Sequence, residues 1–204
     1  MEAAARRGSA SGARFTLLFI LILGAPGSGK GTQGKILAER LGLPKITTGD
    51  LLRAAMKDGT PLGLQAKEYY DKGQLVPDSL ILDLIKGELS KPEAKDGAIF
   101  DGFPRTAAQA ELVDKTLGER GQRLNHILLL DVDEDELVRR MSARASQEGR
   151  SDDTPDAIRT RLNVYRRDTA PLIAHYSQRG IVHRVPGGGT VEQIAEEIKR
   201  IIGR

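Results

Sequence analysis

The sequence predicts an α/β fold in three layers (α/β/α), in which helices cover both faces of a five-stranded parallel sheet. Short apolar runs, typical of buried parallel strands, alternate along the chain with amphipathic stretches typical of helices. The first apolar run also leads directly into a glycine-rich segment that opens a helical pattern. We therefore expect strands at Phe15–Leu23, Ala98–Asp101, His126–Asp131 and Ile181–Val185, and a short strand ending at Ile46.

The amphipathic stretches predict helices at Lys30–Leu41, Asp50–Lys57, Leu62–Lys72, Asp78–Leu89, Ala107–Leu117, Glu134–Ala143, Pro155–Gln178 and Val191–Ile202. Two segments are expected to be mobile: a helical insert at 47–76, and a short lid at 143–153 around the polar run 145–149. The chain from 15 to 204 is expected to be one domain. Residues 1–14 are rich in alanine, glycine, serine and arginine, which predicts a disordered extension.

Composition excludes several classes of function. The 204 residues are 39% hydrophobic, which suffices for one compact core, and the net charge of +3 is too small to indicate a nucleic-acid partner. Cysteine is absent, which excludes disulfides and thiolate metal sites and fits a reducing compartment, so we expect the cytoplasm. No apolar run is long enough to span a bilayer, so no membrane partner is expected.

The first apolar run allows a second interpretation. Arg6 and Arg7 precede Phe15–Leu23, as a basic segment precedes the apolar core of a signal peptide. A buried parallel strand also reads as a continuous apolar run. We favour the strand, because cleavage after Ala25 would separate the glycine-rich segment from the strand that leads into it.

The glycine-rich segment Gly24–Thr32 follows a predicted strand and opens a helix, which is the context that a phosphate-binding loop (P-loop) requires. Glycines let backbone N–H groups converge on phosphate oxygens, and the helix N-terminus adds positive potential. Lys30 would supply a mobile charge for the β- and γ-phosphates of a nucleotide. Gly31 stands where the general pattern has Ser or Thr, which weakens the case for a hydroxyl ligand to Mg²⁺. The alternative is a glycine-rich turn with no ligand.

Further motifs follow in a fixed order along the chain. They are TTGDLLR (47–53), GQLVPD (73–78), FDGFPRT (100–106) with Gln109 after it, the arginines Arg140, Arg144, Arg150 and Arg161, and PGGGT (186–190). With the GKGT form of the P-loop, they resemble the adenylate kinase family from about Phe15 to Ile202. Only five residues separate Arg144 from Arg150, as in short-lid members, and the lack of cysteine excludes the zinc-bearing lid of some members.

The resemblance implies a P-loop nucleoside monophosphate kinase fold in which the insert at 47–76 binds AMP. ATP is expected to contact Gly27, Ser28, Gly29, Lys30, Gly31, Thr32, Arg144 and Gly189. AMP is expected to contact Thr48, Arg53, Gln74, Leu75, Val76, Gly102, Phe103, Pro104, Arg105, Gln109, Arg150 and Arg161. The catalytic groups implied are Lys30, Arg105, Arg140, Arg144, Arg150 and Arg161, and Asp101 would hold the cofactor Mg²⁺ through water.

The chemistry of these residues suits the implied roles. The planar fork of Arg105 can clamp a phosphate, and the amide of Gln109 can donate and accept at the edge of adenine. Arg140 and Arg144 share one helix face, where neighbouring cations repel unless an anion neutralises them. Simpler interpretations remain for single residues, since each arginine could belong to a solvated basic face. Thr48 or Asp50 could be a helix N-cap, and Asp152 and Asp153 could orient the arginines.

The resemblance implies reversible transfer of the terminal phosphoryl group of Mg-ATP to AMP, giving two ADP, by a monomer. One alternative is a uridylate/cytidylate kinase, but those relatives commonly have Ala in place of Thr48 and Asn in place of Thr106. A non-catalytic nucleotide-binding module would have lost Lys30 or the arginines, and a P-loop ATPase would not need a second nucleotide site. The histidines, His126, His175 and His183, lie outside the motifs and are interpreted as structural.

Overall fold

The computed structural model describes residues 17–148 and 153–203, apart from the side chains of Asp83 and Glu148. Five parallel strands form one sheet in the order β2-β3-β1-β4-β5. The strands are β1 (Leu18–Gly24), β2 (Lys45–Thr47), β3 (Gly97–Asp101), β4 (Leu124–Asp131) and β5 (Val182–Pro186). The predicted α/β class with a five-stranded parallel sheet is confirmed.

Helices connect the strands and cover the sheet. They are α1 (Lys30–Leu41), α2 (Thr48–Lys57), α3 (Pro61–Asp71), α4 (Asp78–Leu89), α5 (Ala107–Gly118), α6 (Glu134–Glu148), α7 (Pro155–Val164), α8 (Pro171–Ser177) and α9 (Val191–Ile202). A short 3₁₀ turn lies at Pro92–Ala94 and a π turn at Tyr165–Thr169. Among the described residues, no helix has the length and apolar character needed to cross a bilayer.

The first apolar run is the central strand of the sheet. Every residue of β1 is buried, and its side chains alternate between two cores because successive residues of a strand face opposite sides. Phe19, Leu21 and Leu23 belong to the core that includes residues of α4, α5 and α8. Ile20 and Ile22 belong to the core under α1 and α9. The strand interpretation is therefore confirmed for Leu18–Gly24, while Phe15 and the predicted extension at 1–14 lie outside the described residues.

Some predicted boundaries were wrong. The insert helix begins at Thr48 with Thr47 as its N-cap residue, so neither Thr48 nor Asp50 is the cap. Helix α6 continues beyond Ala143 to Glu148, because the polar run after Arg144 consists largely of residues with good helix propensity. The segment 143–153, which was predicted to be a lid, is thus helical up to residue 148. Residues 149–152 lie outside the described residues.

The long stretch predicted at Pro155–Gln178 is divided. The π turn closes with a 2.8 Å hydrogen bond from the amide of Ala170 to the carbonyl oxygen of Tyr165, a spacing of five residues. Pro171 follows, which cannot donate a backbone hydrogen bond and starts α8. The direction of the chain is set by this wide turn rather than by one regular helix.

The insert consists of two short helices that pack closely. A Cβ built on Gly63 of α3 would lie 2.1 Å from the carbonyl oxygen of Ala55 in α2, so only glycine permits this approach. Thr60 caps α3 through a hydrogen bond to the amide of Gly63. That the segment 47–76 is mobile stays a prediction.

Candidate functional site

A cleft of about 1130 Å³ opens at the carboxyl ends of the strands. Ligand sites of parallel α/β sheets commonly lie at this edge. The predicted site residues that line the cleft are Gly27, Ser28, Gly29, Lys30, Gly31, Thr32, Arg53, Leu75, Asp101, Gly102, Pro104, Arg105, Arg140, Arg144, Arg161 and Gly189. Residues from both predicted nucleotide sites therefore share one cavity.

The P-loop joins β1 to α1 as a tight turn. Gly27 and Gly29 have φ angles of +85° and +94°, a region that favours glycine. A Cβ on Gly27 would lie 2.9 Å from the carbonyl oxygen of Leu137 in α6, so the loop lies directly against that helix. Gly29 is the N-cap residue of α1, which places the helix N-terminus at the cleft.

Lys30 folds back over this loop. Its Nζ atom donates 2.8 Å hydrogen bonds to the carbonyl oxygens of Gly24 and Ala25. Burial lowers the pKa of Lys30 to about 7, Asp101 opposes that shift, and the positive charges of three nearby arginines add to it. Those arginines are Arg105, Arg161 and Arg144. Three arginines therefore lie close enough to repel a charge on Lys30, an arrangement that an anion would stabilise.

The loop after β3 is organised by one carbonyl group. The oxygen of Gly102 accepts a 2.8 Å hydrogen bond from Thr48 Oγ1 and a 2.6 Å bond from Arg105 Nε. Gly102 has φ +74°, and a Cβ there would lie 2.9 Å from Arg105 Nη2. This glycine thus leaves room for the guanidinium group beside the cleft and links α2 to the loop that carries Arg105.

On the opposite wall, Arg53 lies between the two insert helices. It donates to Asp50 and, at 2.5 Å, to the hydroxyl of Tyr70 on α3. Its guanidinium carbon lies 5.9 Å from the centre of the Tyr70 ring, within range of a cation–π interaction. These contacts orient the charged end of Arg53 at the rim of the cleft.

Two of the predicted arginines share one buried carboxylate. Arg144 donates from Nε and Nη2 to the two oxygens of Asp153 at 2.6 and 2.8 Å, and Arg161 donates from Nη1 at 2.5 Å. The side chain of Asp153 has no exposed surface. A charge-assisted, two-bond contact fixes the plane of a guanidinium group, so Asp153 sets the orientation of this pair.

Arg140 faces the loop before α9. It donates to Glu136 at 2.6 Å and to the carbonyl oxygen of Gly187 at 3.0 Å. Hydrogen bonds from Arg139 and Arg140 lower the pKa of Glu136 to about 2. Arg140 thereby connects α6 to the PGGGT segment (186–190). Gly189 of that segment lines the cleft.

Comparison with known proteins agrees with this geometry. The family model described as "Adenylate kinase" matches residues 22–181. The chain is 48% identical over 185 residues to the adenylate kinase of Kocuria rhizophila, covering 91% of this chain and 98% of that one. It is 48% identical to the adenylate kinase of Thermus thermophilus (90% and 96% covered) and 49% identical to that of Phocaeicola vulgatus (89% and 96%). The chain belongs to the adenylate kinase family.

Some residues that the family resemblance implies do not line the cleft. Val76 and Phe103 are buried in the core that includes residues of α4, α5 and α8. Gln74 is exposed after the end of α3. Thr48 is buried behind the loop and faces Gly102. Arg150 lies outside the described residues.

Gln109 also lies behind the wall, with 3% of its surface exposed. Its Oε1 accepts a 2.7 Å hydrogen bond from the Arg105 amide, and its Nε2 donates to Asp78. The amide that was expected to bind adenine therefore holds the Arg105 loop, with one N–H and one lone pair left over. Contact between Gln109 and adenine stays a prediction.

The oxygen atoms at and beside Asp101 suit a hard cation. It ends β3 with 5% of its surface exposed and lines the cleft beside the P-loop. Its partner in register on β2 is Thr47, whose buried hydroxyl has no hydrogen-bond partner among residues 17–148 and 153–203. A carboxylate and a hydroxyl on one sheet face are oxygen donors that suit Mg²⁺ and its bound water.

The histidines lie apart from this cavity. His126 Nδ1 is 3.3 Å from His183 Nε2 across neighbouring strands, and His175 is 3.7 Å from Asp114. None of them lines the cleft. In the described part of the chain, no group of three or more His, Cys, Asp or Glu residues could hold a metal ion. The interpretation of the histidines as structural stays a prediction.

Sequence reasoning missed several residues of the site. Lys45, Asp50, Glu136 and Tyr165 line the cleft, as do residues at the start of α9. Lys45 could have been recognised, because a lysine at the start of a short buried strand, two residues before the TTGDLLR motif, requires a partner. Tyr165 carried no signal, since the π turn that places it has no clear sequence pattern.

Proposed function

We propose that this chain catalyses reversible transfer of the terminal phosphoryl group of Mg-ATP to AMP, giving two ADP. The observation that carries the proposal is the convergence of Lys30 with Arg105, Arg144 and Arg161 around one cleft, each arginine within electrostatic range of Lys30. A simple ATPase needs one nucleotide site, whereas this cleft has a P-loop on one wall and further arginines on the other. Membership of the adenylate kinase family supports the same activity.

In this proposal, ATP binds along the P-loop. Backbone N–H groups from Gly27 to Thr32 surround its phosphates, and Lys30 exchanges its carbonyl partners for phosphate oxygens. Arg144 binds the terminal phosphate from the side of α6. The loop that contains Gly189 lies against the adenine.

AMP binds between the insert and the loop after β3. Arg53 and Arg105 hold its phosphate, because two planar forks from opposite walls fix both its position and its orientation. Leu75, Gly102 and Pro104 line the space for the nucleoside. The buried residues Thr48, Val76, Phe103 and Gln109 support that wall from behind, and the exposed Gln74 is expected to contact AMP. Arg150 and Arg161 complete the binding of the phosphate.

The transfer step is a displacement at phosphorus. An oxygen of the AMP phosphate forms a bond to the γ-phosphorus of ATP while the bond from that phosphorus to the β,γ-bridging oxygen breaks, leaving ADP on both sides. Charge on the oxygens of the transferred phosphoryl group is neutralised by four cationic side chains, those of Lys30, Arg140, Arg144 and Arg161. This neutralisation is the main contribution that residues make to this reaction. Mg²⁺ bound beside Asp101 would neutralise charge on the β- and γ-phosphates. Closure of the insert and lid excludes water.

A bisubstrate compound tests the shared cleft. Two adenosines joined through five phosphates should bind far more tightly than ATP or AMP, since linkage makes the second contact intramolecular. Calorimetry should give one molecule per chain. Two independent molecules per chain, or an affinity no better than that of ATP, would contradict adjacent donor and acceptor sites.

The cofactor and assembly complete the proposal. Activity should vanish with EDTA and return with Mg²⁺ alone, because the donors at Asp101 are hard oxygens. Restoration by zinc alone would contradict this assignment. We also propose that the protein is a monomer, since one chain supplies residues for both nucleotides, and light scattering in solution tests its mass. We propose the cytoplasm as its location, because a chain without cysteine fits a reducing compartment.

A further inference from the structure

Lys45 lies between two carboxylates in the floor of the cleft. Its Nζ atom is 3.8 Å from Asp101 Oδ2 and 3.7 Å from Asp50 Oδ2. Its side chain is 21% exposed and that of Asp101 is 7% exposed, so the charges are only partly screened by water. One ammonium group is therefore shared by two carboxylates and bound tightly to neither.

Packing aims Lys45 at this position. It is the first residue of β2, and its aliphatic stem passes over Gly34 of α1, where an added Cβ would lie 3.1 Å from Lys45 Cδ. The ammonium group also donates a 3.5 Å hydrogen bond to the carbonyl oxygen of Gly31. The absence of a side chain at Gly34 on α1 thus leaves room for the lysine to reach the carboxylate of Asp101.

The same network continues into the AMP site. Asp50 pairs with Arg53, which is proposed to bind the AMP phosphate. Asp101, Lys45, Asp50 and Arg53 thus form a series of ion pairs in which the sign of the charge alternates. If the residue at one end of such a series changes its partner, the electrostatic attraction between the residues at the other end changes too.

We propose that Lys45 is a positioning residue that couples AMP binding to Mg²⁺ binding. This inference rests on the proposed function, in which Arg53 binds the AMP phosphate and Asp101 holds Mg²⁺ through water. When the AMP phosphate draws Arg53 away from Asp50, the carboxylate of Asp50 attracts Lys45 more strongly. Lys45 shifts from Asp101 towards Asp50, which leaves the Asp101 carboxylate to the water shell of Mg²⁺. Each ligand favours the same arrangement, so each strengthens binding of the other.

Calorimetry can measure this coupling without turnover. Mg²⁺ is titrated into enzyme saturated with an ATP analogue that has an imido β,γ-bridge, first without and then with saturating AMP. We expect AMP to tighten Mg²⁺ binding to the wild-type enzyme by about 5-fold or more, the lower end of ordinary coupling between sites. Equal affinity for Mg²⁺ with and without AMP would overturn the inference.

Two variants assign the coupling to Lys45. Lys45→Gln should bind Mg²⁺ without AMP as tightly as the wild type does with AMP, and AMP should then add less than about twofold. Lys35→Gln removes the same charge from an exposed site on α1 and should retain wild-type coupling. Wild-type coupling in a folded Lys45→Gln enzyme would overturn the inference.

A third variant covers the possibility that Lys45→Gln fails to fold. Asp50→Asn acts at a side chain that is 57% exposed and removes the charge that draws Lys45 from Asp101. It should lose the coupling, and its retention there would also overturn the inference. If AMP and the analogue do not bind at all, the proposed function fails first and this inference fails with it.

Discussion

Arg144 and Asp153 form a two-bond ion pair, in which Nε and Nη2 of the arginine lie 2.6 and 2.8 Å from the two carboxylate oxygens. The carboxylate is fully buried, whereas the arginine side chain is 27% exposed towards the cleft. The buried partner therefore holds the exposed one in place. Because Asp153 also accepts from Arg161, one residue just before α7 controls the geometry of two cations.

Replacing Asp153 should impair turnover more than binding. In Asp153→Asn one acceptor oxygen becomes an NH₂ donor and the negative charge is lost, so the two-bond contact with Arg144 cannot form. We expect kcat to fall about 10- to 100-fold through misplacement of Arg144 and Arg161. The free energy of unfolding should fall by roughly 1–3 kcal/mol, less than for a fully buried pair because the arginines remain partly exposed. Steady-state kinetics and urea denaturation measure the two effects.

Asp156→Asn is the matched control for that variant. Asp156 lies three residues further along, its side chain is 95% exposed, and it is 3.6 Å from Arg159. Its replacement should leave kcat within about twofold of the wild type, as is usual for exposed pairs. Equal activity of the two variants would remove Asp153 from the proposed mechanism.

Lys30→Met should cut turnover and preserve the fold. Loss of one preorganised donor at the transferred phosphate typically costs on the order of 10²–10³ in rate. The methionine should not destabilise the protein, because burial already lowers the pKa of Lys30 from 10.5 to about 7 and its charge therefore opposes folding. Kinetics and thermal unfolding test both statements, with Lys35→Met on the exposed face of α1 as control. A well-folded Lys30→Met enzyme with near-normal kcat would contradict the mechanism.

The lowered pKa of Lys30 also predicts proton uptake when ATP binds. At pH 8 the empty enzyme holds Lys30 mostly neutral, since its pKa is about 7. Phosphate oxygens favour the charged form and raise that pKa, so the complex takes up a proton in the window above pH 7. ATP affinity should accordingly decrease as pH rises through this window.

Calorimetry of ATP binding at pH 8, in buffers of different ionisation enthalpy, counts the protons taken up. The wild type should take up a substantial fraction of one proton per ATP, and Lys30→Met should take up far less. An observed enthalpy that does not depend on the buffer would show that Lys30 is already charged in the empty cleft.

Acceptor choice depends on the wall behind Arg105. We expect AMP to be preferred over CMP and UMP in kcat/KM, because a pyrimidine would leave part of the adenine space unfilled. Gln109→Leu removes the acceptor of the Arg105 amide and the partner of Asp78, and an unpaired buried group costs roughly 1–3 kcal/mol. The kcat/KM for AMP should fall about 5- to 150-fold while the KM for ATP changes little.

A coupled assay with AMP, CMP, UMP and GMP measures that preference. Gln193→Leu is a useful control, since Gln193 forms the capping box of α9 on the donor side and should leave selectivity among acceptors unchanged. A wild-type enzyme that prefers CMP or UMP would contradict the adenylate assignment and leave the wider kinase assignment intact.

Much of the site could be predicted because its chemistry is local in sequence. The P-loop, the FDGFPRT turn and the arginines of α6 and α7 each place required residue types at fixed spacing, and the cleft brings most of them together. Gln109 was harder, because an amide near a nucleotide can bind either the ligand or the neighbouring backbone. Only the packing of α4 against α5 shows that Asp78 and the Arg105 amide occupy it in this structure.

The sequence by itself determined the parallel α/β class, the P-loop and the family, since these depend on periodicity and on short motifs. Tertiary structure alone decided which charges share a partner. Asp153 lies 9 residues from Arg144, and Lys45 lies 56 residues before Asp101 and 5 before Asp50, and sequence spacing alone does not say which of these charges meet. Ion pairs of this kind form where strands and helices converge on one edge of the sheet, and their energy depends on separation and burial. The cleft was therefore predictable as a list of residues, but its electrostatic network became visible only in the fold.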